Sequence, residues 1–262
     1  LVVFFHGGGV VKDSLQYPEL AEAIAARGAV AVSPTSGWQT GTPIAGIDAA
    51  LAEANTFLGG AACAVSFAVA KAGEWGAASA GVTLAGHSGG ADFASVLAFD
   101  PDREVSGCSV PVTSWTPHAA MLWEGAIGLL DPQMWDPFGA DLSQLFAVLT
   151  PWKMLDAGFT GPVRFVVSDW SRQNLTRCGD VNEWAPLRDP SGDYQSWLQS
   201  VGALDDGCVD IGDNALALGA AMTPEGVPNS FVPLSGASTV HATLSDDDLQ
   251  RVAPMVYDLA VG

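Results

Sequence analysis

Charge is scarce in this chain, and what there is has mostly one sign. Of 262 residues 15% are charged, with 10 Lys and Arg against 29 Asp and Glu, for a net charge of −19. That balance argues against a basic patch for nucleic acid or an anionic membrane, and the acidic excess reads as a soluble surface. Histidine and cysteine are also few, four of each. No C-x-x-C and no H-E-x-x-H occurs among them, so no metal dependence is expected. Long apolar runs are missing as well. The uncharged stretch between Glu53 and Lys71 is interrupted by Asn55, Thr56, Gly59, Gly60 and Ser66. A spanning helix needs roughly 20 predominantly apolar residues, so the stretch reads as a buried helix pair and no membrane anchor is expected. Neither an internal repeat nor a low-complexity tract is present. The chain opens directly on a strand-like run, which displays no leader and says little about location.

What is abundant is apolar. Hydrophobic residues make up 48% of the chain, enough for a large core, and the length fits one α/β domain over residues 1–262. Strand and helix signals alternate, the pattern of a mostly parallel sheet with helices on both faces. Strands are expected at Leu1–Phe5, Ala29–Ser33, Val82–Ala85, Ala119–Trp123, Val163–Val167 and Phe231–Leu234. Helices are expected at Pro18–Arg27, with Gly28 as its stop, at Ile47–Leu58 and Ala61–Trp75, after residue 90, and from Ser245 towards Ala260. Ser245 and Asp248 have capping-box spacing, and Pro254 predicts a bend. Residues 125–161 and 169–214 are rich in Trp, Pro, Asp and Gly without clear periodicity, so they are expected as long excursions that form a cap or pocket rim. Seven of the nine tryptophans lie from Trp115 to Trp197, which points to a partly aromatic pocket, or for any one of them to ordinary loop packing.

Two motifs carry the chemistry. Gly86-His87-Ser88-Gly89-Gly90 follows a strand-like run and precedes a helix-like one, so Ser88 falls on a tight strand-to-helix turn that would expose its hydroxyl. The Gly89 amide, opening the helix, would face the negative oxygen of a tetrahedral intermediate. His6-Gly7-Gly8-Gly9 follows the first apolar run, and bare glycine backbone there would supply further oxyanion donors, Gly8 first and Gly9 next. Either motif is weak alone in a chain with 30 glycines. Both in this order read as a serine hydrolase. The glycine loop lacks the Lys and Ser/Thr of a phosphate-binding loop, so no organic cofactor is expected.

With these motifs the chain resembles the α/β-hydrolase superfamily, closest to bacterial esterases and lipases that carry an HGGG oxyanion loop. The resemblance spans nearly the whole chain. The stretch Cys63-Ala64-Val65-Ser66-Phe67-Ala68 leading to Trp75-Gly76 resembles the helix ahead of the nucleophile in carboxylesterase-like members. The resemblance implies a hairpin and a further strand ahead of the HGGG strand, so the first strands of such a fold are expected to be missing. It also implies disulfides joining Cys63 with Cys108 and Cys178 with Cys208, hence a secreted or periplasmic protein, with four isolated thiols and a cytoplasmic protein as the alternative.

In that fold the triad follows the order Ser, acid, His. His241 comes after the last strand and before the terminal helix, which makes it the expected base. His6 belongs to the oxyanion loop, His87 neighbours the serine and His118 precedes a strand. The acid is expected just after the strand at Val163–Val167, where Asp169 is the only carboxylate of Ser168-Asp169-Trp170-Ser171. The usual alignment would place the acid at Ser171, so Asp180 and Asp213 stay open. Asp246, Asp247 and Asp248 follow His241 and read as helix N-terminal charge.

The implied activity is carboxylic-ester hydrolysis through an acyl-enzyme on small or medium, aromatic or polyester substrates. A peptidase or lipase shares the same machinery. A non-catalytic binding protein of this fold is the alternative from another class.

Overall fold

The computed structural model describes residues 1–7, 16–35, 47–77, 81–100, 108–109, 111, 113–125, 158–174, 176–178, 196, 199–200, 208–235 and 244–262. Gly8, Gly9, Asp180, His241 and most of the 125–161 excursion lie outside them. Six parallel strands form one sheet: β1 (Val2–Phe5), β2 (Ala31–Val32), β3 (Val82–His87), β4 (Pro117–Trp123), β5 (Val163–Ser168) and β8 (Asn229–Leu234), in the order β2-β1-β3-β4-β5-β8.

Near-continuous apolar runs are what a strand covered on both faces requires; β1 has one, and β3 to β5 are interrupted only by residues such as Thr83, His118 and Arg164. Alternate side chains supply two cores. Val3, Phe5, Val82, Leu84, Ala120, Leu122, Val163, Phe165 and Val167 turn to one face. There they meet α2 (Ile47–Lys71), α3 (Gly89–Phe99) and α5 (Ile211–Met222). Val2, Phe4, Ala85, Ala119, Met121, Trp123 and Val166 turn to the other face, against α1 (Tyr17–Ala25) and α6 (Asp246–Val261). Each fully buried large side chain contributes roughly 1.5–3 kcal/mol, so this double-sided sheet is the main source of stability.

Two expectations change. The helix pair is one continuous helix, α2, running through Gly59 and Gly60. Glycine weakens a helix by about 1 kcal/mol each, but Phe57, Leu58, Ala61 and Ala62 pack on both sides of that pair and hold it. The described residues of the 169–214 excursion are also more regular than its composition implies. They contain α4 (Asp169–Asn174) and a two-stranded antiparallel sheet of β6 (Thr176–Cys178) and β7 (Cys208–Asp210), and they run into α5. Strands of three residues are too short to show a periodicity.

Ser245 and Asp248 do form a capping box at the start of α6, which continues through Pro254. Disulfides join Cys63 of α2 to Cys108, and Cys178 to its cross-strand neighbour Cys208. These are the pairs the resemblance implies, and they are compatible with an oxidising compartment. None of the described helices is long and apolar enough to cross a membrane.

Candidate active site

Strand order reverses between β1 and β3, because the chain goes outward to β2 and then returns to the other side of β1. A parallel sheet opens a crevice at the carboxyl ends of the strands on either side of such a reversal. His6 and Gly7 leave the end of β1 at that point, and Ser88 leaves the end of β3. Topology alone therefore places the two sequence motifs side by side.

Ser88 has φ 54 and ψ −129, a backbone conformation that costs a non-glycine residue on the order of 1–3 kcal/mol. Its neighbours enforce it. The Ser88 amide donates to the Trp123 carbonyl at 2.8 Å, and its own carbonyl accepts from the Ala91 amide at 2.8 Å. A side chain on Gly86 would strike the Gly90 carbonyl, and one on Gly90 would strike the carbonyls of Phe5 and His6. Helix α3 is thus pressed against the end of β1. Gly89 is its first residue, so the Gly89 amide has no carbonyl within the helix to pair with.

The backbone that follows β1 closes on the same serine. A Cβ on Gly7 would lie 3.4 Å from that of Ser88 and 3.0 Å from the Tyr17 hydroxyl. His6 is fully buried and donates from Nδ1 to the Gly7 carbonyl at 2.8 Å, which braces the turn. Burial pushes the His6 imidazole below its ordinary pKa, and the Gly7 bond opposes this only in part. The ring is therefore neutral at pH 7.

A buried polar chain that the sequence reading missed lies beneath the serine. The Gly7 amide donates to the Tyr17 hydroxyl at 2.9 Å. The Tyr17 hydroxyl and His87 Nδ1 are 2.8 Å apart. His87 Nε2 faces a Glu124 carboxylate oxygen at 3.4 Å, and the other oxygen accepts the Ser168 amide at 3.1 Å. Burial, and after it the Glu124 charge, hold the Tyr17 phenol well above its ordinary pKa despite the opposing Gly7 bond. A glutamate directly after an apolar strand and before Gly125 was the available signal for Glu124.

Asp169 opens α4 directly after β5, at the same edge of the sheet, and is half-buried. Strand registers align His87 with Trp123 and Trp123 with Val166. β5 is therefore two strand spacings, about 10 Å, from β3, and Asp169 follows the end of β5. Arg172 of the same short helix pairs with Asp210 at 2.9 Å. Burial disfavours the Arg172 charge, but Asp210, Asp213 and Asp169 together raise its pKa. The reserve acid Asp213 sits in the capping box of α5, where it accepts the Asp210 amide at 2.8 Å. Ser171 is buried and bonded to Ser168.

The structure thus brings together Ser88, Gly89 and Gly7, and sets Asp169 on the same edge. The segment that carries His241 follows β8, outside the described residues. Among the described residues, no group of three His, Cys, Asp or Glu side chains could hold a metal.

No protein-family model and no curated protein sequence matches the chain. Solved structures do. The chain is similar over 99% of its length to 82% of the propionate-bound thermophilic esterase Est2 of Thermogutta terrifontis, at 18% identity and a TM-score of 0.55. It is similar over 99% of its length to 74% of esterase B of Lactobacillus rhamnosis, at 11% identity and a TM-score of 0.61. It is similar over its whole length to 75% of a hyperthermophilic esterase of the archaeon Pyrobaculum calidifontis, at 16% identity and a TM-score of 0.54. At such identities the likeness establishes a fold, and that fold is the α/β-hydrolase fold.

Proposed function

We propose that this chain is a serine carboxylic-ester hydrolase that works through an acyl-enzyme. One observation carries the reading: the strained Ser88, held at φ 54 between β3 and α3 at the crevice, with the Gly7 backbone against its Cβ. A serine in a position that costs conformational energy, beside glycines whose side chains could not fit, is placed for reaction with a bound carbonyl.

Ser88 Oγ attacks the ester carbonyl while His241 takes its proton, and Asp169 orients the imidazole and stabilises the imidazolium. The amides of Gly8, Gly9 and Gly89 hold the oxyanion, and loss of one such donor typically costs about 2.7–4 kcal/mol in the transition state. Collapse of the intermediate breaks the C–O bond, and His241 returns the proton to the leaving alcohol. Water, deprotonated by His241, then releases the acid and restores Ser88. The substrates proposed are small or medium acyl esters, with aromatic acyl or alcohol groups favoured by the tryptophans between Trp115 and Trp197. Residues 1–262 act as one catalytic domain whose 125–161 and 169–214 excursions form the rim. The two disulfides support a secreted or periplasmic enzyme.

Hydrolysis of p-nitrophenyl esters of increasing acyl length by the parent, Ser88→Ala and His241→Ala proteins tests this. Turnover by the parent, lost in both variants, is the expected result. A folded parent without turnover, or a Ser88→Ala protein that matches it, would replace the reading with a non-catalytic binding role.

A further inference from the structure

One network of buried side chains touches three loops of the proposed site and takes no part in the bond-making steps. From the Tyr17, His87 and Glu124 chain we infer a positioning network that sets the oxyanion loop, the nucleophile turn and the acid loop in mutual register. The inference rests on the serine-esterase reading and deepens it.

Proton placement follows from donor and acceptor chemistry. The Tyr17 hydroxyl accepts the Gly7 amide at 2.9 Å, so its single proton is directed to His87 Nδ1 at 2.8 Å. Nδ1 is then the acceptor of a neutral ring, and Nε2 carries the proton towards Glu124, 3.4 Å away. The second Glu124 oxygen accepts the Ser168 amide at 3.1 Å, one residue before Asp169. Each bond donates in the direction that the next requires. The chain therefore runs without a break from the end of β1, past the end of β3, to the end of β5.

Two features separate this network from ordinary packing. Tyr17 and His87 are 1% exposed and Glu124 is 0% exposed, and a buried polar or charged group weakens a fold unless it is fully paired. Glu124 also has φ 51, a left-handed conformation that glycine would adopt without strain. A position that needed only the turn would be served better by glycine. Retention of a strained, buried carboxylate bonded to two of the loops points to its side chain as the reason.

The network also settles what the Gly7 amide does. Because that N–H is committed to Tyr17, it is not an oxyanion donor, and the donors assigned to Gly8 and Gly9 start one residue beyond a fixed anchor. The Tyr17 hydroxyl is thereby bonded both to Gly7, the residue before Gly8, and to His87, the residue before Ser88.

Steady-state kinetics on p-nitrophenyl butyrate test the inference in the parent, Tyr17→Phe, Glu124→Gln and Glu124→Ala proteins. Active sites are counted by fluorophosphonate titration, so that kcat refers to competent enzyme whatever fraction folds. Misplaced oxyanion donors weaken transition-state binding more than substrate binding. Tyr17→Phe is therefore expected to lower kcat at least tenfold with KM within threefold of the parent. Glu124→Gln, which keeps an acceptor of the same size for the Ser168 amide, is expected to retain at least five times the kcat of Glu124→Ala. If Glu124→Ala does not fold, Tyr17→Phe alone decides. A Ser88-dependent parent whose Tyr17→Phe variant keeps kcat within twofold overturns the inference and leaves the esterase reading standing. Equal kcat in the two folded Glu124 variants also overturns it. A parent without Ser88-dependent turnover overturns the reading and this inference with it.

Discussion

The proposed nucleophile and the proposed acid stand at the same edge of one sheet but are held in different ways. Around Ser88 the constraints are backbone and core: Gly90 has no room for a side chain, His6, His87 and Glu124 are buried, and β1, β3 and β4 are covered on both faces. Around Asp169 they are side-chain contacts near solvent. Asp169 is half-buried in a six-residue helix, Arg172 reaches across to Asp210, and the adjoining β6–β7 pair is tied by a disulfide. Close packing fixes a position to fractions of an ångström and tolerates little change. Polar contacts at a surface allow more. Ser88 is thus placed by the fold, and Asp169 by local chemistry.

The largest effect should come from breaking the acid side chemically. Asp169→Asn keeps shape and removes charge, and loss of the triad acid typically lowers kcat about ten-thousand-fold without unfolding. A loss below tenfold in kcat/KM would move the acid away from Asp169, with Asp180 next in line.

The disulfides sharpen the comparison because each belongs to one side. Cys63–Cys108 closes a loop of 45 residues around α3, and Cys178–Cys208 one of 30 residues beside Asp169. Chain entropy makes either worth about 3–4 kcal/mol. Paired Ser substitutions should lower Tm in both cases. Only the Cys178→Ser, Cys208→Ser protein should also lose kcat/KM, because the nucleophile side retains its packing. Parallel melting curves and kinetics decide this.

Glycine substitutions give a smaller contrast. The Cβ of Gly90→Ala meets two backbone carbonyls that cannot move aside, so a cost of about 1–3 kcal/mol or more is expected in urea unfolding. At Gly212 a Cβ meets the flexible Arg172 side chain and one Asp210 oxygen, and alanine favours the helix. Gly212→Ala should therefore change stability by less than about 1 kcal/mol.

The smallest effect concerns pH. Burial lowers the His6 pKa below its unfolded value, so between the two values the unfolded chain binds more protons. The stability due to neutral His6 is complete above the unfolded pKa and is lost as pH falls towards the folded one. The Tm advantage of the parent over a His6→Gln protein should shrink from pH 7.5 to pH 5.5. A constant difference would show that His6 does not titrate differently on folding.

The same contrast explains what could be read from sequence. The central strands and the strand-to-helix turn at Ser88 were legible because burial on both faces demands near-continuous apolar runs, and because glycine is required where backbones touch. The single α2 was not, since Gly59 and Gly60 read as a break until the packing around them is known. The β6–β7 pair is joined by Cys178–Cys208 and anchored in the core by Val209, and strands of three residues are too short to leave a period-2 pattern. Helix α5 was missed, and Asp213, which closes its capping box with Asp210, resembled a spare catalytic acid. Tyr17 and Glu124 lie far apart in sequence, and nothing local shows that His87 joins them.

The central claim is that Ser88 is the nucleophile. Its most direct test is the mass of the peptide carrying Ser88 after the folded protein meets a fluorophosphonate. The account predicts one phosphonyl adduct on Ser88 and none on the Ser88→Ala protein. A folded parent whose Ser88 stays unmodified, or whose adduct maps to another residue, would contradict it.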